Sequence, residues 1–288
     1  EILIGLVGSE MCIRDSIMIE YIYKRLIKGV LMKEKIYTIP VNDAFSSDCE
    51  CPICSMYKAL EDDAVSYTMG PSYMEDDIRA VTDKKGFCQK HLKKVYDCEN
   101  RLGFALVMKT HLDRVINDIE SLQDGKVAGK SMFKKADKPA VTTYTERLEG
   151  TCFVCERIDN TFQRYLDTIF HMYKHDSDFR EKYKACKGFC TKHYGILLEQ
   201  AANSLKGDML DEFIKTTNSL YIENMKRVRD DVEWFINKFD HKYIDEPWKN
   251  AKDSLVRAMI KDGSYIADEP GKRNNTRSVS YTHLRAHE

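Results

Sequence analysis

The stretch CPIC (Cys51–Cys54), followed 33 residues later by Cys88 and His91 within GFCQKH (Gly86–His91), decides how this chain is read. It has a counterpart in CFVC (Cys152–Cys155), followed after 34 residues by GFCTKH (Gly188–His193). The offsets are 101 residues for the first motif and 102 for the second, so a whole unit recurs and not a chance tetrapeptide. The intervening apolar residues keep step. Counted from the second cysteine, positions +3, +11 and +15 are Tyr57, Val65 and Met69 in one copy and Ile158, Leu166 and Phe170 in the other, a helical phase in both.

Each CxxC therefore opens a helix. Pro52 suits the first helical position, where its missing N–H costs nothing, and Gly70-Pro71 ends that helix. A shorter helix over 72–84 follows, stopped by Gly86. The spacing of Leu92, Val95, Leu102, Leu106, Leu112, Val115, Ile119 and Leu122 then predicts one long helix from about Cys88, on the order of 50 Å long at 1.5 Å per residue. The second copy predicts a helix from Cys155 to about Tyr173, a turn at His175-Asp176-Ser177, a short helix, and a helix from Cys190 that Gly207-Asp208 interrupts. A long amphipathic helix through Leu210, Phe213, Leu220, Val228 and Phe239 completes it. The predicted class is all-α, with two tandem helical-hairpin repeats, each carrying a CxxC/CxxH metal site, and long amphipathic helices forming a bundle.

Composition agrees. Lys and Arg number 45 against 46 Asp and Glu among 288 residues, and 43% of residues are apolar, which excludes a strongly basic nucleic-acid scavenger and an acidic disordered chain. With 14 Gly and 6 Pro, turn formers fall well below the average usage of about 12%, which disfavours an all-β class. Ten cysteines in a chain of this length are too sparse for a secreted disulfide scaffold.

Residues 32–123 and 149–240 are read as the two metal-binding repeats, 124–148 as a Lys-rich linker and 241–265 as a C-terminal helix beginning near Glu246-Pro247-Trp248. Residues 266–288 read as a disordered tail. SEMCIRDS (Ser9–Ser16) and RSVSYTHLRAHE (Arg277–Glu288) resemble translated sequencing-adapter DNA, so residues 1–31 and 277–288 are set aside, with Met32 the expected native start and Cys12 carrying no weight. No run of about 18 uncharged apolar residues predicts a membrane span, and a cytoplasmic setting is expected.

The eight residues Cys51, Cys54, Cys88, His91, Cys152, Cys155, Cys190 and His193 have the composition of two closed metal sites. Cysteine and histidine three apart at a helix start share one face, and the helix N-terminus favours the thiolate that binds metal. Antiparallel hairpins would bring Cys88 and His91 back beside Cys51 and Cys54, and likewise in the second copy. Three thiolates and one imidazole suit tetrahedral Zn2+ with no vacant position. The histidine in each set favours zinc over an iron–sulfur cluster, which normally takes four cysteines. Neither CxxC lies in the βαβ context of a thioredoxin-type motif.

Cys49, Cys98 and Cys186 stand outside the pattern and read as spare thiols. The sharper alternative takes Cys49 and Cys186 as resolving thiols of a redox switch that releases metal, or Cys49 as a substitute for Cys51. Other signals lead nowhere. Gly125–Ser131 falls one residue short of a phosphate-binding loop, His171 and His175 lack the intervening glutamate of a metalloprotease, and Glu61-Asp62-Asp63 and Glu75-Asp76-Asp77 read as solvated helix faces. Trp234 and Trp248 read as packing residues. No nucleophile with a companion base is present.

MKEKIYTIPVNDAF (Met32–Phe45), CPIC, GFCQKH, the second CxxC and GFCTKH together resemble a domain-of-unknown-function family of anaerobic Gram-positive bacteria, over about Met32 to Tyr265. The resemblance implies an intracellular helical protein with two CxxC/CxxH sets, and brings no established activity. The function expected is that of a zinc-binding, non-enzymatic interaction or adaptor protein with an unidentified protein partner, and no nucleic acid. The redox-responsive zinc switch is the alternative.

Overall fold

The computed structural model describes residues 36–123 and 138–263. The expected chain ends over 1–31 and 266–288, Cys12 and the Gly125–Ser131 segment lie outside the described residues. Among those residues every regular element is helical: eleven α-helices and two single 3-10 turns. Helix α1 spans 36–46. It is followed by α2 (Pro52–Met69), a 3-10 turn (Pro71–Met74), α3 (Asp76–Lys85), α4 (Gln89–Asp97) and α5 (Arg101–Gln123). Then come α6 (Ala140–Glu149), α7 (Phe153–His175), α8 (Ser177–Ala185), α9 (Thr191–Ser204) and α10 (Asp208–Asn237), a 3-10 turn (His241–Tyr243) and α11 (Ser254–Gly263).

The start and stop signals act where the sequence puts them. Pro52 opens α2, Gly70 closes it, and Asp176 caps α8 by accepting from the amides of Asp178 and Phe179 at 2.9 and 3.1 Å. Helices α2 and α7 form the most extensive helix contact, and they run antiparallel. The start of α2 (Ile53, Met56) packs with the end of α7 (Ile169, Phe170, Tyr173), whereas the end of α2 (Ala64, Val65, Met69) packs with the start of α7 (Phe153, Val154, Ile158). Tyr57 and Phe162 meet edge-on at 5.4 Å between the two clusters. The larger cluster is aromatic: Phe45, Phe170, Tyr173, Phe179, Tyr183, Phe189 and Phe213 are all nearly inaccessible. The Tyr183 hydroxyl meets Thr217 Oγ1 at 2.8 Å, so no polar atom of that ring is stranded.

Three expectations about helix limits need correction. The long helix expected from Cys88 to Leu122 is broken at Cys98–Asn100 into α4 and α5. Glu99 adopts the left-handed region at φ 61, and Asn100 ties the start of α5 to the end of α2, accepting from Gly103 N at 2.9 Å and donating to Met69 O at 2.9 Å. A β-carbon on Gly103 would lie 2.7 Å from the Asn100 side chain, so this approach requires glycine. Residues 140–148 of the expected linker belong to helix α6, which packs on α5. The C-terminal helix starts at Ser254, not near Trp248; the intervening chain is held by Lys238, whose ammonium donates to the carbonyls of Tyr243, Ile244 and Glu246. Trp234 and Trp248 do pack, the former donating to Pro247 O at 3.0 Å and the latter against Phe235. No helix among the described residues is long and apolar enough to cross a membrane.

Candidate metal centres

Four helix starts converge in pairs. Cys51, Cys88, Cys152 and Cys190 each occupy the N-cap of α2, α4, α7 and α9, where the helix dipole favours an anionic sulfur. Cys152 Sγ accepts from Cys155 N, and Cys190 Sγ from His193 N, both at 3.5 Å. All eight ligand candidates gather in two groups whose ligand atoms lie within 4.8 Å of one another. The membership differs from the expectation. The first centre joins Cys51 and Cys54 to Cys190 and His193, and the second joins Cys88 and His91 to Cys152 and Cys155. Each CxxC is thus completed by the CxxH of the other half of the chain.

Helix lengths explain the exchange. Helix α2 has 18 residues and α3 has 10, or about 27 Å outward against about 15 Å back. The return leg is too short to bring Cys88 to Cys51, and it stops level with Glu61, near the middle of α2. The antiparallel α7 presents Cys152 and Cys155 there. The other half has the same imbalance, with 23 residues in α7 and 9 in α8.

The distances are those of a tetrahedron's edges. Bonds of about 2.3 Å to sulfur and 2.0–2.1 Å to nitrogen give edges of about 3.8 Å between sulfurs and about 3.5 Å between sulfur and nitrogen. In the first centre Cys54 and Cys190 sulfurs are 3.7 Å apart, and His193 Nδ1 lies 3.5, 3.3 and 3.2 Å from Cys51, Cys54 and Cys190. In the second, Cys88 and Cys155 sulfurs are 3.9 Å apart, and His91 Nδ1 lies 3.3, 3.4 and 3.2 Å from Cys88, Cys152 and Cys155. These separations are far beyond an S–S bond of about 2.05 Å, and no described cysteine forms a disulfide. Neither set leaves a place in the tetrahedron for water or substrate. The proton demands within each set conflict: in the first, burial pushes Cys51 up to about 12 while bonds from Cys51 and Cys54 draw Cys190 down; in the second, burial pushes Cys155 up while Cys152, against the effect of its burial, is drawn down to about 6 by His91. A bound metal ion would remove the conflict by taking the place of the protons.

The two centres are supported differently. His91 turns Nε2 to Glu61 Oε1 at 2.9 Å, a carboxylate behind a ligand imidazole. Glu61 is only 1% exposed and also pairs with Lys90 at 2.6 Å and Lys94 at 2.5 Å. Burial alone would raise its pKa, but the bonds from His91, Lys90 and Lys94 outweigh this and hold the carboxyl well below the usual carboxylate range. Glu61 therefore belongs to the second centre and not to a solvated acidic face; its neighbours Asp62 and Asp63 are exposed as expected. Seven residues after the second CxxC, where Glu61 stands after the first, the chain has Phe162, which packs on the His193 ring at 5.8 Å. The first centre has all four ligands buried, whereas Cys88 and Cys155 of the second are half-buried.

Gly86 and Gly188 shape the turns before Cys88 and Cys190. Both have positive φ, 60 and 77, and a β-carbon on Gly188 would sit 2.7 Å from Leu220 O, so the GFC motif needs glycine for conformation and for space. Of the other thiols, Cys49 does not replace Cys51; its sulfur accepts from Ser47 Oγ at 3.3 Å and lies 3.8 Å from Ala44 O. Burial pushes Cys186 up to about 11. Cys98 is exposed, with its sulfur 3.4 Å from Lys94 O. His171 and His175 are exposed, with their ring centroids 4.8 Å apart.

The family model described as "Family of unknown function (DUF6062)" matches residues 32–269, which contain both centres. The chain belongs to the DUF6062 family. No curated protein and no solved structure matches it. What a DUF6062 chain can do chemically has to be read from these two ligand sets.

Proposed function

We propose that the chain is a zinc-binding helical scaffold whose two (Cys)3(His) centres are structural, and that it serves as a non-enzymatic interaction protein. The observation that carries this reading is the pair of four-ligand sets at tetrahedral edge lengths. Charge supports a divalent ion in particular. Three thiolates, a neutral imidazole and M2+ leave one net negative charge. Beside the first centre stand Glu50, Arg227 and Lys261, with Glu50 Oε2 2.5 Å from Arg227 and 3.3 Å from Lys261. Beside the second stand Glu61, Lys90 and Lys94. Each trio carries one net positive charge, which offsets one divalent (Cys)3(His) centre and would overcompensate the neutral centre made by a trivalent ion. With no open coordination position, catalysis by bound water has no place to occur.

Elemental analysis of the full chain, purified anaerobically without added metal, should find two zinc ions per chain. The cobalt-substituted protein should show tetrahedral ligand-field bands with strong sulfur-to-metal charge transfer. A metal content near zero, or iron with visible absorbance, would sink the proposal.

A further inference from the structure

The two loops that carry ligands must be held in register at each centre, and the chain does this in two ways. At the second centre the loops bind each other directly: Thr151 Oγ1 donates to Lys85 O at 2.8 Å, and Phe153 N to Gly86 O at 3.0 Å. At the first centre neither donor exists. The residue in the place of Thr151 is Glu50, and the one in the place of Phe153 is Pro52, which has no N–H. The carbonyls of Glu50 and Lys187, one on each loop, instead converge on a third group. Lys261 of α11, 1% exposed, donates from its ammonium to Glu50 O at 2.7 Å and to Lys187 O. It also lies 3.3 Å from Glu50 Oε2. A further bridge between these loops, Lys187 to Asp48, is at the surface, with Asp48 83% exposed, and such pairs contribute little.

We propose that Lys261 is a positioning residue of the first metal centre, tying its two ligand loops together and supplying a buried positive charge, so that the C-terminal helix docks through the centre. The inference rests on the zinc-site reading above. Electrostatics and geometry agree. The first centre is the more deeply buried, so its net negative charge is the less relieved by water. Lys261 is the least exposed cation among the described residues. By contrast, the cations of the second centre, Lys90 and Lys94, are 56% and 34% exposed along their side chains.

The test is the rate at which a colorimetric chelator withdraws zinc from the full chain, with the two kinetic phases assigned by a Cys152→Ser variant that lacks the second centre. Lys261→Met should release zinc from the first centre at least about tenfold faster, the scale of outer-sphere substitutions at metal sites, with the second centre unchanged within about twofold. Lys261→Gln, which keeps a donor for the carbonyls but no charge, should fall between Met and wild type, and it replaces Met if that variant does not fold. The cobalt spectrum of the first centre alone should shift in both. Wild-type release from a folded variant would overturn the inference and leave the zinc reading standing. Failure of both variants to fold with zinc saturating would mark Lys261 as a core residue and overturn it equally. A wild-type chain without zinc would remove the zinc reading, and this inference with it.

Discussion

Stripping the metal with a high-affinity chelator should abolish cooperative unfolding of the whole chain and most of its helical signal. The first centre joins residues 142 positions apart, Cys51 and His193, and the second joins residues 61 apart, His91 and Cys152. A metal bound at either would therefore act as a cross-link that closes a long loop, besides satisfying buried sulfur and nitrogen. Structural zinc contributes apparent free energies of about 10–16 kcal/mol in small folds, against a total stability of about 5–15 kcal/mol for ordinary domains. Circular dichroism at 222 nm, followed through chelation and then zinc addition, should show loss and recovery. A chelated chain that melts cooperatively within a few degrees of the untreated one would refute a folding role for the centres.

The next largest effect is expected at Glu61. Replacing it with alanine removes the acceptor of His91 Nε2 and leaves the imidazole free to turn, while Lys90 and Lys94, partly exposed, can swing to water. Loss of such an outer partner lowers metal affinity about 10–100-fold, so competition with a chelator should show the second centre weakened on that scale and the first unaffected. Glu61→Gln, which can still accept from His91, should fall between the two. The direction of its pKa shift sets the pH behaviour. A carboxyl held below its unfolded value of about 4.3 contributes fully above that pH and loses its contribution as acid carries the folded chain through the lowered value. The Glu61 contribution thus persists throughout the neutral range. A Glu61→Ala chain with unaltered metal competition at both centres would show that the carboxylate does not orient His91.

The ligand types and their number were legible because CxxC and CxxH at fixed offsets are a dense signal, and the helix starts were legible because Pro52, Gly86 and Gly188 leave few alternatives. The motifs suggest that each CxxC pairs with the CxxH that follows it, and the fold overturns this, although the lengths that decide it lie in the sequence: an 18-residue helix cannot be retraced by a 10-residue one. The break at Cys98–Asn100 was hidden because the apolar spacing continues across it, and its signals are one asparagine and one glycine three residues later. Glu61 and Lys261 are of another kind. Each is a charged residue in a charged neighbourhood of sequence, and only the antiparallel packing of α2 on α7, or the docking of α11 on α9 and α10, turns it inward. Local pattern carries no trace of a buried charge whose partner is 30 or 211 residues away.

The exchange of ligands between the two halves is tested most directly by counting metal in double variants. Cys51→Ser with Cys190→Ser should leave one zinc per chain, because both cysteines belong to the first centre, and Cys88→Ser with Cys152→Ser should likewise leave one. Cys51→Ser with Cys88→Ser removes a ligand from each centre and should leave none. If instead Cys51→Ser with Cys88→Ser retains one zinc and Cys51→Ser with Cys190→Ser retains none, each half binds its own metal and the crossed arrangement is wrong.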